Sequence, residues 1–471
     1  MRRQRHRWAG GLAITATLLV LLGIGRLSAQ APALLLEERL PQLFSSPDGR
    51  MFRLWNAVPD AQRSGPGFLL ALASPPNTWQ TLLEIFPGPG LKALDPGIAI
   101  GSSQEVAVAY QWYRENPRAK QIRVASSYDG GNTWVQPSTA VESSNRGFAP
   151  KLAWGRGRSL VVAWADERAG DNPWNIYARR SPDGGSTWEP EQLLSRFPQG
   201  DRGNVAFAPG MVLSDDQDRF WVVWRELRNL RSNVYLSRSI DGGRTWTDPQ
   251  ELSGQGSQVL GEQLVRSGER LLLVWADGRV GGAQRRRLFS ATSADGGVTW
   301  SAPIRVDHVP ADSMPTTGIP AVALGQDQEV FVTWYDGRNG RFDIFLGRSP
   351  DFGRTWDTKD IRLDMDDPGT AASRWPAIAR AEDGRLVVAW EDERAGYEGI
   401  YLRVRSAGPS PAWGPEVVVA PPGPKKAARI PSVRWGRDGA LYVAWETWVF
   451  EPGTAAVTKG VDGRVLFPDK K

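Results

Sequence analysis

The 471-residue sequence has no cysteine and only two histidines, His6 and His308. The lack of cysteine excludes disulfides, thiolate zinc sites, cysteine nucleophiles and lipid-modified cysteine anchors. Because His6 falls in a segment with the features of a targeting signal, His308 alone cannot build a multi-histidine metal site, and a Ser-His-Asp triad is disfavoured. Apolar residues make up 41% and charged residues 23% of the chain, which is typical of a globular protein. The unusual feature that remains is the 22 tryptophans.

The amino terminus has the layout of a secretory signal peptide. It carries four arginines before an apolar run from Ala9 to Gly25, followed by the small-residue region around Ala29-Gln30-Ala31. We therefore expect residues 1–31 to be a signal peptide and residues 32–471 to form a single domain that is secreted or otherwise extracytoplasmic. An uncleaved N-terminal anchor is the alternative, because Arg26 follows the apolar run and Pro32 follows the expected cleavage site.

The positive net charge belongs to this leader. Residues 1–31 hold five arginines and no acids, so their removal brings the net charge of +5 to zero. A neutral chain lacks the basic footprint of a nucleic-acid-binding protein. We expect no nucleic-acid partner, no membrane association beyond the leader, and a monomer.

An internal repeat accounts for many of the tryptophans. The pattern Ser-x-Asp-x-Gly-x-Thr-Trp occurs at Ser127–Trp134, Ser181–Trp188, Ser239–Trp246, Ser293–Trp300 and Ser349–Trp356, with degenerate copies ending at Trp79 and Trp413. The seven terminal tryptophans are 54 to 58 residues apart. A period of this length indicates repeated units that stack on one another.

A second series of tryptophans runs out of phase with the first. Apolar runs end in Trp55, Trp112, Trp164, Trp224, Trp275, Trp334, Trp390 and Trp445. Five continue as Trp-x-Asp/Glu-x-Arg, with the acid and arginine at Asp166/Arg168, Glu226/Arg228, Asp277/Arg279, Asp336/Arg338 and Asp392/Arg394. The two series together contain 15 of the 22 tryptophans.

Each period predicts four short strands. In one unit these are Pro150–Trp154, Leu160–Ala165, Asn175–Arg180 and a strand beginning in Gln192–Ser195, and no segment shows a sustained helical period. Such units predict an all-β fold, a β-propeller of four-stranded antiparallel blades whose tryptophans fill the wedges between blades. Eight blades fit residues 32–471, with Thr454–Phe467 supplying the outer strands of the last, and seven is the alternative.

The Ser-x-Asp-x-Gly-x-Thr-Trp motif has a structural explanation. Its Asp and Ser side chains can accept hydrogen bonds from nearby backbone N–H groups, and its Gly allows a positive φ. A calcium loop needs more carboxylates than one copy offers. The cluster Asp364, Asp366 and Asp367 is a better calcium candidate, although a solvated acidic loop is favoured, and we expect neither a metal nor another cofactor.

These five motifs resemble Asp-boxes, also called bacterial neuraminidase (BNR) repeats, and the chain over residues 41–471 resembles the sialidase-like β-propeller superfamily. The resemblance is specific for the fold. It is much less specific for a reaction, since Asp-boxes also occur in non-catalytic propellers.

Strand geometry predicts where a ligand would bind. In an antiparallel blade the end of the second strand and the start of the first lie on one face, opposite the Asp-box turns. The acid/arginine pairs share that axial face. Two interpretations stay open for them: they tie each loop to its neighbour in every blade, or at least one pair contacts a substrate.

The resemblance implies further site residues. Sialidases have an Arg-Ile-Pro sequence whose arginine grips the substrate carboxylate, and Arg429-Ile430-Pro431 matches it literally, Arg374-Trp375-Pro376 approximately. A Tyr-Asp-Gly-Arg run followed by an acid/base aspartate is matched by Tyr335, Asp336, Arg338 and Asp343, but Gly318 stands where that unit would carry its arginine. The pair Asp392/Arg394 completes the candidate set. No Tyr–Glu nucleophile pair is singled out.

Two main functions follow from these features, beside a third, a propeller enzyme of another glycan-cleaving class that acts through paired carboxylates among Asp166, Asp277, Asp336 and Asp392. One is an exo-acting glycoside hydrolase of sialidase type that releases sialic-acid-like sugars from glycans. The other is a non-catalytic propeller that binds a glycan or a protein partner on its axial face. The sequence leaves the choice between enzyme and binding protein open.

Overall fold

The computed structural model of the chain describes residues 41–57, 65–74, 78–116, 119–141, 147–166, 174–197, 204–229, 231–254, 258–279, 285–310, 317–424, 426–450 and 457–466. The predicted leader, residues 1–31, lies outside them. The described residues form strands, turns and loops, with no helix that could cross a membrane. They belong to one compact unit, Leu40–Lys471.

The strands form eight sheets, each built from consecutive strands, so that every sheet is one antiparallel blade. Blade 1 comprises β1 Gln42–Ser45, β2 Met51–Ala57, β3 Gly67–Ser74 and β4 Thr78–Ile85, and blade 2 comprises β5 Leu91–Ile100, β6 Val106–Arg114, β7 Ala119–Ser127 and β8 Val135–Val141. Blade 3 comprises β9 Phe148–Trp154, β10 Leu160–Asp166, β11 Asn175–Ser181 and β12 Gln192–Leu193, and blade 4 comprises β13 Val205–Ser214, β14 Phe220–Arg228, β15 Arg231–Ser239 and β16 Gln250–Glu251.

Blades 5 to 8 continue the pattern. Blade 5 comprises β17 Val259–Ser267, β18 Arg270–Asp277, β19 Arg287–Ser293 and β20 Ile304–Arg305, and blade 6 comprises β21 Ala321–Leu324, β22 Val330–Asp336, β23 Asp343–Ser349 and β24 Ile361–Arg362. Blade 7 comprises β25 Ser373–Arg380, β26 Leu386–Asp392, β27 Gly399–Arg405 and β28 Val417–Ala420, and blade 8 comprises β29 Lys426–Trp435, β30 Leu441–Phe450 and β31 Val457–Leu466. The structure confirms an eight-bladed β-propeller. In its described part blade 8 has three strands, with β31 in place of the outer strands predicted at Thr454–Phe467.

The hydrophobic core lies in the wedges between blades. Apolar side chains of blade 5, such as Leu272 and Val274, pack with Val330 and Trp334 of blade 6, and equivalent clusters join other neighbouring blades. Trp164, Trp224, Trp275, Trp334 and Trp390 are completely buried there. Burying one flat blade face against the next is what makes the repeated tryptophans necessary.

The Asp-box turns have the predicted hydrogen bonds. In the first copy Ser127 Oγ accepts from the N–H of Gly131 at 2.8 Å, and Asp129 accepts from the N–H and hydroxyl of Thr133 at 2.8 and 2.6 Å. The other full copies repeat this arrangement. Gly131 has a φ of 95°. The hydrogen bonds from Thr133 hold the pKa of Asp129 at about 2.

The ring closes between its two ends. The N–H of Leu43 donates to Ser432 Oγ at 3.0 Å, and Leu43 and Met51 of blade 1 form one core cluster with Ala440 and Tyr442 of blade 8. Among the described strands no sheet combines segments from the two ends of the chain. The seam is therefore closed by side-chain packing and single hydrogen bonds rather than by a strand ladder.

Candidate functional site

The repeated acid of each Trp-x-Asp/Glu-x-Arg motif is buried at the end of the second strand of its blade. Asp277 accepts from Trp275 Nε1 at 3.1 Å and from Arg279 Nε at 2.8 Å, and Asp336 accepts from Trp334 Nε1 and Arg338 Nε, both at 2.9 Å. The same contacts join Glu226 and Asp392 to their tryptophans and arginines. In the remaining motif Asp166 accepts from Trp164, and Arg168 lies outside the described residues.

The arginines of these pairs cover aromatic rings of the third strand. Arg338 Cζ lies 3.8 Å from the Phe345 ring centre and Arg279 Cζ 4.3 Å from that of Phe289, while the same rings stack on Trp334 and Trp275. Blades 4 and 7 repeat the guanidinium contact. A contact set repeated from blade to blade favours the structural interpretation of the pairs, including the predicted site residues Asp336, Arg338, Asp392 and Arg394.

The environments of the two predicted aspartates differ in electrostatics. Burial raises the pKa of Asp336 in spite of Arg338. Burial acts in the same direction on Asp392, but hydrogen bonds from Arg394 and from Ser373 Oγ, at 2.8 Å, outweigh it and lower the pKa of Asp392. Both carboxylates are inaccessible to solvent.

Asp343, the predicted acid/base, lies in a buried acidic cluster. It accepts from Asn339 Nδ2 at 2.7 Å and, at 3.1 Å each, from Arg362 Nη2 and the N–H of Gly369. Arg362 Nη2 also donates to Asp364 and Asp366, both at 2.6 Å. These contacts place Asp343 at the corner between β22 and β23, bonded to protein groups.

The acidic residues considered for calcium are arranged around this arginine. Carboxylate oxygens of Asp343, Asp364 and Asp366 lie within 4.8 Å of one another, and the Arg362 guanidinium contacts all three. Asp367 offers its backbone carbonyl to Thr370 instead. Burial, helped by the neighbouring Asp343 charge, raises the pKa of Asp364 to about 8. A guanidinium thus stands where a cation would neutralise the cluster.

The predicted carboxylate-gripping residue Arg429 is engaged by the protein. Its Nε and Nη2 donate to Glu391 at 3.3 and 3.4 Å, and its Cζ lies 4.6 Å from the Trp448 ring centre. The N–H of Ile430 also donates to Glu391. Burial raises the pKa of Glu391. This contact joins blades 7 and 8.

The strand registers show which positions on this face vary between blades. The residue that follows the buried tryptophan position of the second strand faces the next blade: Gln111 Nε2 donates to the Gly147 carbonyl, and Arg225 Nη1 to the Val259 carbonyl. In blades 1 to 8 this position holds Asn56, Gln111, Ala165, Arg225, Ala276, Tyr335, Glu391 and Glu446. In blade 2 the buried position itself is Tyr110, two residues before the predicted Trp112. Variable positions on a repeated scaffold are where one specific site can form.

The structure brings two predicted residues together in one aromatic and cationic group. Tyr335 lies 5.2 Å from Phe342 and 5.8 Å from Trp375 between ring centres, and Arg374 Cζ lies 5.1 Å from the Phe342 ring centre. Arg286 lies within electrostatic range of Tyr335. We call Arg286, Tyr335, Phe342, Arg374 and Trp375 the Tyr335 cluster. It spans blades 5 to 7.

Backbone features shape this cluster. Trp375 has a φ of 53° at a bulge of β25, and the pre-proline residue Ile430 has a φ of 49° at the equivalent bulge of β29. Asp95 and Ala149 have the same conformation before the equivalent prolines of blades 2 and 3, so it belongs to the repeated bulge of the first strand. The structure explains why position 318 holds glycine instead of the arginine of the sialidase pattern. A Cβ at this position would overlap the Tyr335 ring. The tyrosine occupies the space that an arginine would need.

Sequence reasoning missed Arg286 and Phe342. They occupy the position just before the third strand in blades 5 and 6, which belongs to neither repeated motif. The register relative to the repeated acid would have found them. A Tyr–Glu pair does exist at Tyr235 and Glu251, with the hydroxyl 3.3 Å from the carboxylate. Burial raises the pKa of Tyr235 to about 12, and its ring stacks on Trp224, so this pair belongs to the packing of blade 4.

Comparison with known proteins agrees with this architecture. The chain is an eight-bladed β-propeller, and residues 51–258 match the BNR repeat-like domain. The match confirms the resemblance to sialidase-like BNR-repeat propellers, over the segment that forms blades 1 to 4. No curated protein matches the sequence.

Three solved structures are similar to the chain at low sequence identity. A GH93 α-L-arabinofuranosidase of Fusarium graminearum in complex with arabinobiose is 18% identical, with a TM-score of 0.38, covering 68% of this chain and 93% of its own. The intramolecular trans-sialidase of Ruminococcus gnavus is 12% identical, with a TM-score of 0.41 and coverages of 92% and 94%. A PL25 ulvan lyase is 12% identical, with a TM-score of 0.47 and coverages of 79% and 93%.

Proposed function

We propose that this protein is an exported glycan-binding BNR-repeat propeller that holds an acidic sugar at the Tyr335 cluster. One observation carries the proposal. Arg286 and Arg374 have no ion-pair partner among the described residues, whereas Arg228, Arg279, Arg338, Arg394 and Arg429 on the same face are each bonded to a carboxylate. Export through residues 1–31 is part of the proposal, and N-terminal sequencing of the exported protein distinguishes a cleaved signal from an anchor.

The environment of Arg286 favours an anionic ligand. Burial lowers the pKa of Arg286, and its Nε is buried without a hydrogen-bond partner among the described residues. An unmet buried donor on a charged group is costly. A carboxylate or sulfate would supply both the acceptor and the charge, and guanidinium groups bind such planar or tetrahedral anions well.

The aromatic members of the cluster supply the apolar part of a sugar site. Tyr335, Phe342 and Trp375 are partly exposed, and the Tyr335 ring contacts both of the other rings. Small-molecule sites are typically lined by aromatic side chains with a few polar groups that fix orientation. The Tyr335 cluster has this composition.

Exo-hydrolysis of sialic-acid-like sugars is the second candidate function. The observation that favours it is Tyr335, which stands on the axial face beside Arg286, because sialidases use a tyrosine nucleophile and a neighbouring cation assists such a nucleophile. Asp343, the acid/base implied by the resemblance, accepts its hydrogen bonds from protein groups at the β22–β23 corner. Release of a fluorogenic sialoside between pH 4 and 8, lost in Tyr335→Phe, would establish this candidate.

Binding is tested by calorimetry on the purified protein with 3′-sialyllactose and galacturonic acid, against lactose and galactose. We expect the acidic sugars to bind and Arg286→Gln or Arg374→Gln to weaken binding at least tenfold, in the range seen when one partner of a buried charge pair is removed. Arg354→Gln is the matched control, since Arg354 is an exposed arginine of an Asp-box on the opposite face. Equal binding of acidic and neutral sugars, or unchanged affinity in both cluster variants, would refute the proposal.

A further inference from the structure

A second aromatic and cationic group lies on the same face, in blades 2 to 4. Trp174 stands edge-to-face between Phe148 and Phe207, with ring centres 5.5 and 6.3 Å away. Lys120 Nζ lies 5.4 Å from the Phe148 ring centre and Arg225 Cζ 4.6 Å from that of Phe207. We call these five residues the Trp174 cluster. Trp174 and Phe207 are partly exposed, so a ligand can reach them.

The cluster uses the same variable positions as the Tyr335 cluster. Trp174 and Lys120 precede the third strand of their blades or stand at its start, as Arg286 and Phe342 do in theirs, and Arg225 follows the buried tryptophan of its second strand, as Tyr335 does. The two clusters therefore project from equivalent levels of the ring. Neither is required by the repeat, since the second-strand position holds only alanine in blades 3 and 5, as Ala165 and Ala276.

Two buried donors in this group lack an acceptor. Arg225 is 8% exposed and Asn204 2% exposed, yet Arg225 Nε and Asn204 Nδ2 have no hydrogen-bond partner among the described residues. Asn204 immediately precedes Val205, which pairs with Trp174 in an isolated bridge. Buried donors are almost always satisfied in native proteins, so two unsatisfied donors, one over the Phe207 ring and one next to the Trp174–Val205 bridge, point to a ligand that offers acceptors.

Arg286 stands near both clusters. It lies within electrostatic range of Tyr335 and of Arg225 in the Trp174 cluster, and burial together with the like charge of Arg225 lowers the pKa of Arg286. No acid forms an ion pair with Arg225 or Arg286 among the described residues. Positive charge therefore extends from one cluster to the other along the face, and a ligand with several acidic groups in a row suits it better than one with a single charge.

We infer that the Trp174 cluster is a second sugar subsite and that the ligand is an anionic oligosaccharide bridging both clusters. The inference rests on the proposed sugar site at the Tyr335 cluster. Trp174 provides the ring against which a distal sugar packs, while Arg225 and Asn204 donate to its acidic or hydroxyl oxygens. A monosaccharide fills one cluster only, so affinity must grow with chain length as the second contact becomes intramolecular.

The test measures binding of galacturonate oligomers of one to six residues to the purified protein by calorimetry. A heparin-derived hexasaccharide, cellohexaose and poly-glutamate serve as sulfated, neutral and peptide probes. We expect the galacturonate hexamer to bind at least tenfold more tightly than the monomer, and Trp174→Ala and Arg225→Gln to reduce that ratio to about one. Tighter binding of the heparin hexasaccharide than of the galacturonate hexamer, lost in the same variants, would equally support the inference and identify sulfate as the acidic group.

Two further variants keep the outcome interpretable. Trp174→Tyr retains a ring and should keep most of the length dependence if Trp174→Ala folds poorly, and Arg156→Gln changes an exposed arginine at the opposite end of blade 3 as the control. Length-independent affinity for galacturonates overturns the second subsite but leaves the acidic-sugar proposal intact. Absence of binding by every acidic sugar overturns both. Cellohexaose or poly-glutamate binding as tightly as the galacturonate hexamer overturns the anionic oligosaccharide.

Discussion

Replacing Asp277 by asparagine tests whether the repeated acid/arginine pairs hold the fold or bind a ligand. Asp277 is inaccessible to solvent and accepts from five donors: Trp275 Nε1 at 3.1 Å, Arg279 Nε at 2.8 Å, Arg279 Nη2 at 2.5 Å, the N–H of Arg279 at 2.9 Å and the N–H of Gln258 at 3.1 Å. An amide has one oxygen where the carboxylate has two. Whichever way the new amide group turns, the donors on one side of it would face its NH₂.

The expected cost follows from these contacts. Each buried donor left without an acceptor costs about 1–3 kcal/mol, and breaking a buried ion pair costs about 3–5 kcal/mol. We therefore expect Asp277→Asn to lose about 3–5 kcal/mol of stability. Unfolding entropy near 60 °C is about 2.1 cal/mol/K per residue, so for roughly 430 residues a loss of this size lowers Tm by about 3–5 °C.

Differential scanning calorimetry with a binding assay decides the outcome. Asp336→Asn, the same position in blade 6, should lower Tm by a similar amount. Asp248→Asn is the control, because Asp248 is an exposed residue paired with exposed Arg196 and such pairs contribute at most about 1 kcal/mol. An unchanged Tm in Asp277→Asn together with a selective loss of glycan affinity would refute the structural role.

Two other outcomes are expected. Gly318→Ala places a Cβ against the Tyr335 ring; we expect a loss of about 1–3 kcal/mol in stability from overpacking and weaker binding of acidic sugars, and wild-type affinity in this variant would contradict the assigned ring position. Because burial raises the pKa of Asp364 from 3.8 to about 8, the folded protein binds this proton more tightly than the unfolded chain; its contribution to stability is present below about pH 4 and is lost as pH rises to about 8. Asp364→Asn should flatten that part of the Tm–pH profile, and an unaltered profile would count against the raised pKa.

The repeat made the fold predictable to the level of blades and strands. Stacked blades account for both tryptophan series and their constant spacing. One tryptophan of a blade lies near the end of the second strand, and the other ends the Asp-box turn. The strand predicted at Leu160–Ala165 is observed as Leu160–Asp166, and that at Asn175–Arg180 as Asn175–Ser181. The outer strands of blade 8 were harder to predict from the sequence, because no Asp-box marks the turn before its last strand.

The site was less predictable, because its residues are the ones that do not repeat. The pairs Asp336/Arg338 and Asp392/Arg394 were predicted as site residues from a repeated motif. A motif that repeats in several blades reflects a structural requirement of each blade. Tyr335 and Arg374 were recognised through the sialidase resemblance. Arg286, Trp174 and Arg225 carry no motif, and their grouping depends on register across three or more blades, which one chain cannot reveal before its strands are paired.

The seam between blades 8 and 1 has a consequence for how the molecule matures. Since the first and last blades are each made from one end of the chain, the leading blade keeps an uncovered apolar flank, including Leu43 and Met51, until Tyr442 and its neighbours have been synthesised and have folded against it. A chain truncated before β29 would expose that flank permanently and invite self-association. Folding of this ring should therefore be an all-or-nothing event that waits for its final blade, and fragments lacking that blade should be recovered as aggregates.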